Sequence, residues 1–152
     1  MKKVVLGFVV CLTVAALLLS GSQQAEAYQA NIVTAAQVNG TWQYRGNHFY
    51  VWALGQQRLK VEFDGIYQYK IPSGWMANTG TGSGIARIEG DTAVFRPDGL
   101  GVDEECKITM RFTKNKLVVD QEGICGFGHN VFAAGTYRRI SRARPKFDQS
   151  VP

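Results

Sequence analysis

Cys106-Lys107-Ile108-Thr109-Met110-Arg111-Phe112-Thr113 alternates apolar and polar residues without a break. A period of two is the signature of an extended strand, because successive side chains point to opposite faces. Cys106, Ile108, Met110 and Phe112 therefore share one face, and Lys107, Thr109, Arg111 and Thr113 share the other. Asn115 sits in a short link to Leu117, Val118 and Val119, which predicts a hairpin. If Phe112 faces Leu117, Cys106 falls near Gly123, within a residue or two of Cys125. A bridge there staples the open end of the hairpin, given a small backbone irregularity around Gly123.

The same alternation appears upstream. Leu59, Val61 and Phe63 interleave with Arg58, Lys60 and Glu62. Asp64-Gly65 follows and reads as a two-residue hairpin turn, since both residues tolerate positive φ. Ile66 to Lys70 is then the return strand. Further strands are expected at Thr41 to Arg45, Phe49 to Leu54, Ile85 to Ile88, Ala93 to Arg96 and Phe132 to Ile140. Glu89-Gly90-Asp91 turns the middle pair, and Tyr28 to Val38 has room for one helical turn. Short strands with close turns and no amphipathic helix predict an all-β fold, a small antiparallel β-barrel of about eight strands with a β-sandwich as the alternative. Two segments read as long loops. Ile71 to Gly84 carries Trp75, Met76 and the run Thr79-Gly80-Thr81-Gly82-Ser83-Gly84, and Pro97 to Glu105 carries Asp98, Asp103, Glu104 and Glu105.

Residues 1–27 read as a signal peptide. Lys2 and Lys3 precede an apolar run from Val4 to Leu19, and Ala25-Glu26-Ala27 offers a small-x-small cleavage site. The run is shorter than the roughly 20 residues that span a bilayer, so the alternative of a retained anchor is disfavoured. Cys11 lies inside the run rather than directly after it, which argues against lipidation. The expectation is a periplasmic or secreted protein cleaved near Ala27, with residues 28–140 as one domain and residues 141–152 as a basic, disordered tail. Cys106 and Cys125 then meet an oxidising compartment and pair as one disulfide. Closing a loop of about 20 residues is worth roughly 3 kcal/mol in the chain-entropy account.

The formal charge of +5 is unevenly placed. Arg138, Arg139, Arg142, Arg144 and Lys146 outweigh Asp148 at the C-terminus, and the stretch from Tyr28 to Tyr137 is neutral. A nucleic-acid-binding domain would carry a basic face among its strands, so that class is excluded. Pro145 stops helix continuation, and the tail reads as a solvated end. Its sharper reading is weak attraction of Arg142, Arg144 and Lys146 to anionic headgroups or acidic polysaccharide of the envelope. The protein is not expected to be an integral membrane protein.

Asn39-Gly40-Thr41-Trp42 resembles the Gly-x-Trp opening of lipocalin and avidin-like barrels. The continuation Phe49-Tyr50-Val51, Leu59-Lys60-Val61 and Asp64-Gly65-Ile66-Tyr67 looks like the up-and-down meander of the avidin side. Gly135-Thr136-Tyr137-Arg138 is similar to the terminal strand of such barrels, in which an arginine packs against the tryptophan. The resemblance implies a calycin-type barrel whose glycine turns the chain into the first strand and whose tryptophan closes one end. It covers the opening strands and the last strand, and carries over no ligand contacts. Small secreted inhibitors of proteases and lysozymes also use barrels of this size with a single bridge, although their contact motifs have no match here.

Trp42, Tyr44, Tyr50, Trp52, Tyr67 and Tyr69 crowd the first strands. They read either as core filling or as the lining of an aromatic pocket. Trp75 and Met76, beside Gly74, are the candidates for exposed contact. Cys125-Gly126-Phe127-Gly128-His129-Asn130 places a histidine near the bridge, yet no motif sets a nucleophile or carboxylate beside it. His48 and His129 lack zinc-ligand spacing, and the acidic trio lacks that of a calcium loop, so neither metal nor cofactor is expected. The composite expectation is a non-enzymatic, exported binding module. It takes a small ligand or an envelope protein through barrel-end loops, with Trp75 and Met76 foremost and Trp42, Trp52, Tyr67 and Tyr69 as lining. The rivals are an inhibitor of an envelope-directed lysozyme or protease that uses Ile71 to Gly84 as a wedge, a small hydrolase or isomerase centred on His129, and a structural envelope protein.

Overall fold

A computed structural model describes residues 33–98 and 105–147. The signal-peptide reading and the acidic residues Asp103 and Glu104 lie outside the described residues. After a single helical turn, α1 (Ala35–Val38), come β1 (Gly40–Tyr44), β2 (Asn47–Gly55), β3 (Arg58–Ile71), β4 (Gly74–Glu89), β5 (Thr92–Phe95), β6 (Lys107–Phe112), β7 (Lys116–Glu122) and β8 (Gly135–Ser141). Each strand pairs antiparallel with the next, and β8 returns to β1 to close the barrel. The barrel is thus the architecture, and the sandwich is excluded.

β6 and β7 meet in the register that the alternation predicts, with Phe112 opposite Leu117 and Lys107 opposite Glu122. Gly123 follows with φ +70°, and a Cβ there would lie 2.7 Å from the Glu105 backbone. That kink brings Cys125 to Cys106, which it joins in a disulfide with Cα atoms 5.0 Å apart.

Two expected features are overturned, both in the β3–β4 hairpin. Asp64-Gly65 is not a turn: β3 runs straight through it, and the chain reverses at Pro72-Ser73. Gly65 is needed for space, because a Cβ would come within 2.5 Å of the Phe63 ring and 2.6 Å of Val131. The inward parity Leu59, Val61, Phe63, Gly65 is unbroken. Nor is Ile71 to Gly84 a loop, since Gly74 to Gly84 pairs residue by residue with β3. Its threonines point outward, and Gly80, Gly82 and Gly84 point inward.

Trp42, Phe49, Phe63, Phe95, Phe112 and Tyr137 are completely buried and fill the lumen. Burying each such side chain stabilises the fold by about 1.5–3 kcal/mol. One end of the barrel, the helix end, is closed by α1. The Trp42 indole N–H donates to the Val38 carbonyl at 3.0 Å. The Arg139 guanidinium lies 4.4 Å from the centre of the Trp42 ring and donates to the carbonyls of Ala36 and Gln37. These satisfy carbonyls that a helix end leaves without partners. A bulge between Thr41 and Trp42 sets Arg139 opposite Trp42 and Arg138 opposite Gln43, so the packing arginine lies one residue beyond the quoted terminal-strand motif. Gly40, at φ +127°, has no room for a Cβ, which would sit 2.0 Å from the Ser141 carbonyl oxygen.

Candidate functional site

The opposite end, the disulfide end, carries a projecting arm. β2 pairs with β3 as far as His48 opposite Asp64. The Asn47 side chain then ends that ladder: its Oδ1 accepts the Ile66 N–H and its Nδ2 donates to the Phe132 carbonyl, each at 2.9 Å. Beyond this point, among the described residues, Gly65 to Ile71 pair with Gly80 to Gly74 alone. At about 3.3 Å per residue the ribbon continues roughly 23 Å past the barrel rim.

The glycine stripe on β4 explains what supports the base of the arm. The connection from β7 to β8, residues 123–134, folds across the barrel mouth and inserts Phe127. Its ring packs 4.6 Å from that of Phe63 and is buried. A Cβ on Gly80 would lie 1.2 Å from the Phe127 carbonyl oxygen, and one on Gly82 would lie 2.5 Å from the Phe127 ring. No side chain larger than hydrogen fits at Gly80 while Phe127 is seated. The connection is held along its length. Asn78 Nδ2 donates to the His129 carbonyl at 2.9 Å, and the Ala133 N–H donates to Gln121 Oε1 at 2.7 Å. The Tyr137 hydroxyl donates to the Ala133 carbonyl at 2.7 Å. Burial is the main cause that pushes the Tyr137 phenol far above its ordinary value.

Past the Phe127 plug the arm has two faces. Tyr67 and Tyr69 continue the inward parity of β3, and their rings stack at 5.9 Å and 23°. Their cross-strand partners are Asn78 and Met76. Together with His129 and Asn130 of the connection, Tyr67, Tyr69 and Asn78 line a groove of about 350 Å³. Trp75 occupies the other face, opposite Lys70. Trp75 is 72% exposed, Met76 47% and Tyr67 40%.

The six residues singled out from sequence therefore separate. Tyr67, Tyr69 and Met76 come together on one face of the arm, and Trp75 stands alone on the other. Trp42 is in the core at the opposite end of the barrel. Trp52 lies on the outer wall, where the Arg144 guanidinium sits 5.5 Å from its ring centre. Phe147 follows along the same wall, 4.8 Å from Lys60 Nζ. The chain after β8, expected as a solvated tail, thus runs back over the barrel as far as Phe147, and the residues after it lie outside the described residues. Beneath it Tyr50 stacks on His48, and its phenol is raised by burial and then by the charges of Asp64 and Glu62. Sequence reasoning missed Asn78, which meets Tyr67 through the hairpin register, and Asn130, which joins them because the connection folds over the mouth.

Among the described residues no cluster of His, Cys, Asp and Glu could hold a metal ion, and no helix is long and apolar enough to cross a membrane. No protein-family model, curated protein or solved structure matches the chain. The closed, all-antiparallel barrel is compatible with a calycin-like fold.

Proposed function

We propose that this is an exported, non-enzymatic binding module that docks a protein partner through the β3–β4 arm. The reading rests on one observation: the lumen is packed with aromatic side chains, while Tyr67, Tyr69, Met76 and Trp75 stand on a ribbon projecting beyond it. Aromatic side chains occupy the lumen in which the lipocalin resemblance would place a ligand. Aromatic and Met side chains on a projection are the usual anchors of protein interfaces. A projecting hairpin with apolar groups on both faces suits insertion into a cleft better than contact with a flat surface. That shape favours a partner with a groove, and an envelope-directed hydrolase, blocked rather than assisted, is the concrete form of the proposal. Export rests on the leading Lys2-Lys3, the apolar run and Ala25-Glu26-Ala27, together with the disulfide.

The test is capture from envelope extract and culture medium with the protein and a Tyr67→Ser/Tyr69→Ser/Met76→Ser variant. Among the described residues these side chains make no hydrogen bond, so the three substitutions together are expected to lower stability by no more than about 1.5 kcal/mol. Partner retention should fall on the order of 30-fold or more, as expected for hot-spot anchors. Equal capture by both proteins would refute docking through the arm.

A further inference from the structure

We propose that the hollow between the β6–β7 turn and the end of β8 binds a multiply charged anion of the phosphate class. It measures about 360 Å³ and is lined by Lys114, Asn115, Arg138, Arg139, Ser141 and Arg142, with Ile140 at its rim. No carboxylate lines it. Lys116 extends the same surface, since it lies directly opposite Arg138 on β7 and β8. Leu117 and Tyr137 are buried, so both cations point outward from the wall. Like charges directly opposite across a ladder repel. The third residue in that row is Gln43, which is neutral. The ion pairs Arg87–Glu89 and Lys107–Glu122 lie elsewhere, and Lys114, Lys116, Arg138 and Arg142 make none among the described residues.

The sequence presents Arg138 to Lys146 as one basic run, but the fold divides it. Arg144 and Lys146 turn onto the wall that carries Glu62 and Asp64. Arg142 stays with the cations of β8 and of the β6–β7 turn. Arg139 is held rigidly by Trp42 and the α1 carbonyls. Its ordinary value is lowered by burial and then by the Arg142 charge, a sign that positive charge is crowded here. Arg138, Arg142 and Lys114 put guanidinium and ammonium groups around the hollow, and such groups match a ligand with several anionic oxygens. A phosphorylated soluble molecule and a phospholipid headgroup share that chemistry.

Titration calorimetry with inorganic tripolyphosphate at low salt is one arm of the test. Sedimentation with phosphatidylcholine vesicles, with and without phosphatidylglycerol, is the other. Lys116→Glu and Arg138→Glu should each weaken binding roughly tenfold or more, and added salt should weaken it further. Lys116→Arg should restore it, and Arg144→Ala/Lys146→Ala should leave it unchanged. Without ligand, Lys116→Glu should melt at a higher temperature than the native protein, because it turns a repulsive pair into an attractive one. Tripolyphosphate binding with this pattern identifies a soluble anion, and binding confined to phosphatidylglycerol vesicles identifies a headgroup. No binding in either arm, or binding insensitive to Lys116→Glu and Arg138→Glu, overturns the proposal.

Discussion

The two ends of this barrel are closed by different devices. At the helix end the plug is Trp42, a residue of a strand, held by the adjacent Val38 carbonyl and covered by Arg139. At the disulfide end the plug is Phe127, carried on a long connection that crosses from β7 to β8. A plug borne on a strand is positioned by the ladder itself. A plug borne on a connection needs a covalent pin, which Cys106–Cys125 supplies, and an empty stripe to enter, which Gly80 and Gly82 supply. The second device leaves the outer half of the β3–β4 hairpin free of the barrel and turns it into an arm. The helix end is thus closed by a strand residue, and the disulfide end is the one that carries the arm.

The sharpest way to break this contrast is Gly80→Val. Its Cβ would occupy the place of the Phe127 carbonyl, so the connection must lift out and surrender the burial of Phe127 and Val131. Loss of a large buried aromatic costs about 3–5 kcal/mol, and urea denaturation of the variant should show a loss of that size. A smaller effect is expected for Cys106→Ser/Cys125→Ser, about 3 kcal/mol. The loss should be local at first: the near-ultraviolet signal of buried Trp42 should persist at denaturant concentrations where the connection is already cleaved by protease.

The smallest effect concerns the far end of the connection, where the Tyr137 hydroxyl holds Ala133. The folded pKa of Tyr137 is raised, so the protein keeps its proton where the unfolded chain loses it. The stability it contributes is full below pH 10, the unfolded value, and falls as the pH rises above it. The slope is about 1.4 kcal/mol per pH unit for one group. Tyr137→Phe should flatten that alkaline slope, measured by denaturation between pH 9 and about 11.

The sequence was transparent where one signal acted alone. Alternation from Cys106 to Thr113 carried the β6–β7 register and, through it, the disulfide. It was opaque in β3 and β4, where glycine has two meanings. Asp64-Gly65 and the Thr-Gly run have the composition of turns, but Gly65, Gly80 and Gly82 are there because a tertiary neighbour occupies the space of a side chain. Nothing local distinguishes a glycine chosen for φ from one chosen for room. The surviving clue was parity, since Leu59, Val61, Phe63, Tyr67 and Tyr69 keep the same phase across the supposed turn. The candidate site was half legible for the same reason. Tyr67, Tyr69, Trp75 and Met76 could be chosen for their chemistry, but their division between two faces requires the hairpin register.

Native-state amide hydrogen exchange reads the two halves of β4 in one experiment. Amides within Gly80 to Gly84 are expected to be protected nearly as well as those of Val51 and Val61, while those from Gly74 to Met76 exchange orders of magnitude faster. Exchange at Gly80 to Gly84 as fast as at the tip would contradict that expectation, and would return that segment to a mobile loop with no seat for Phe127.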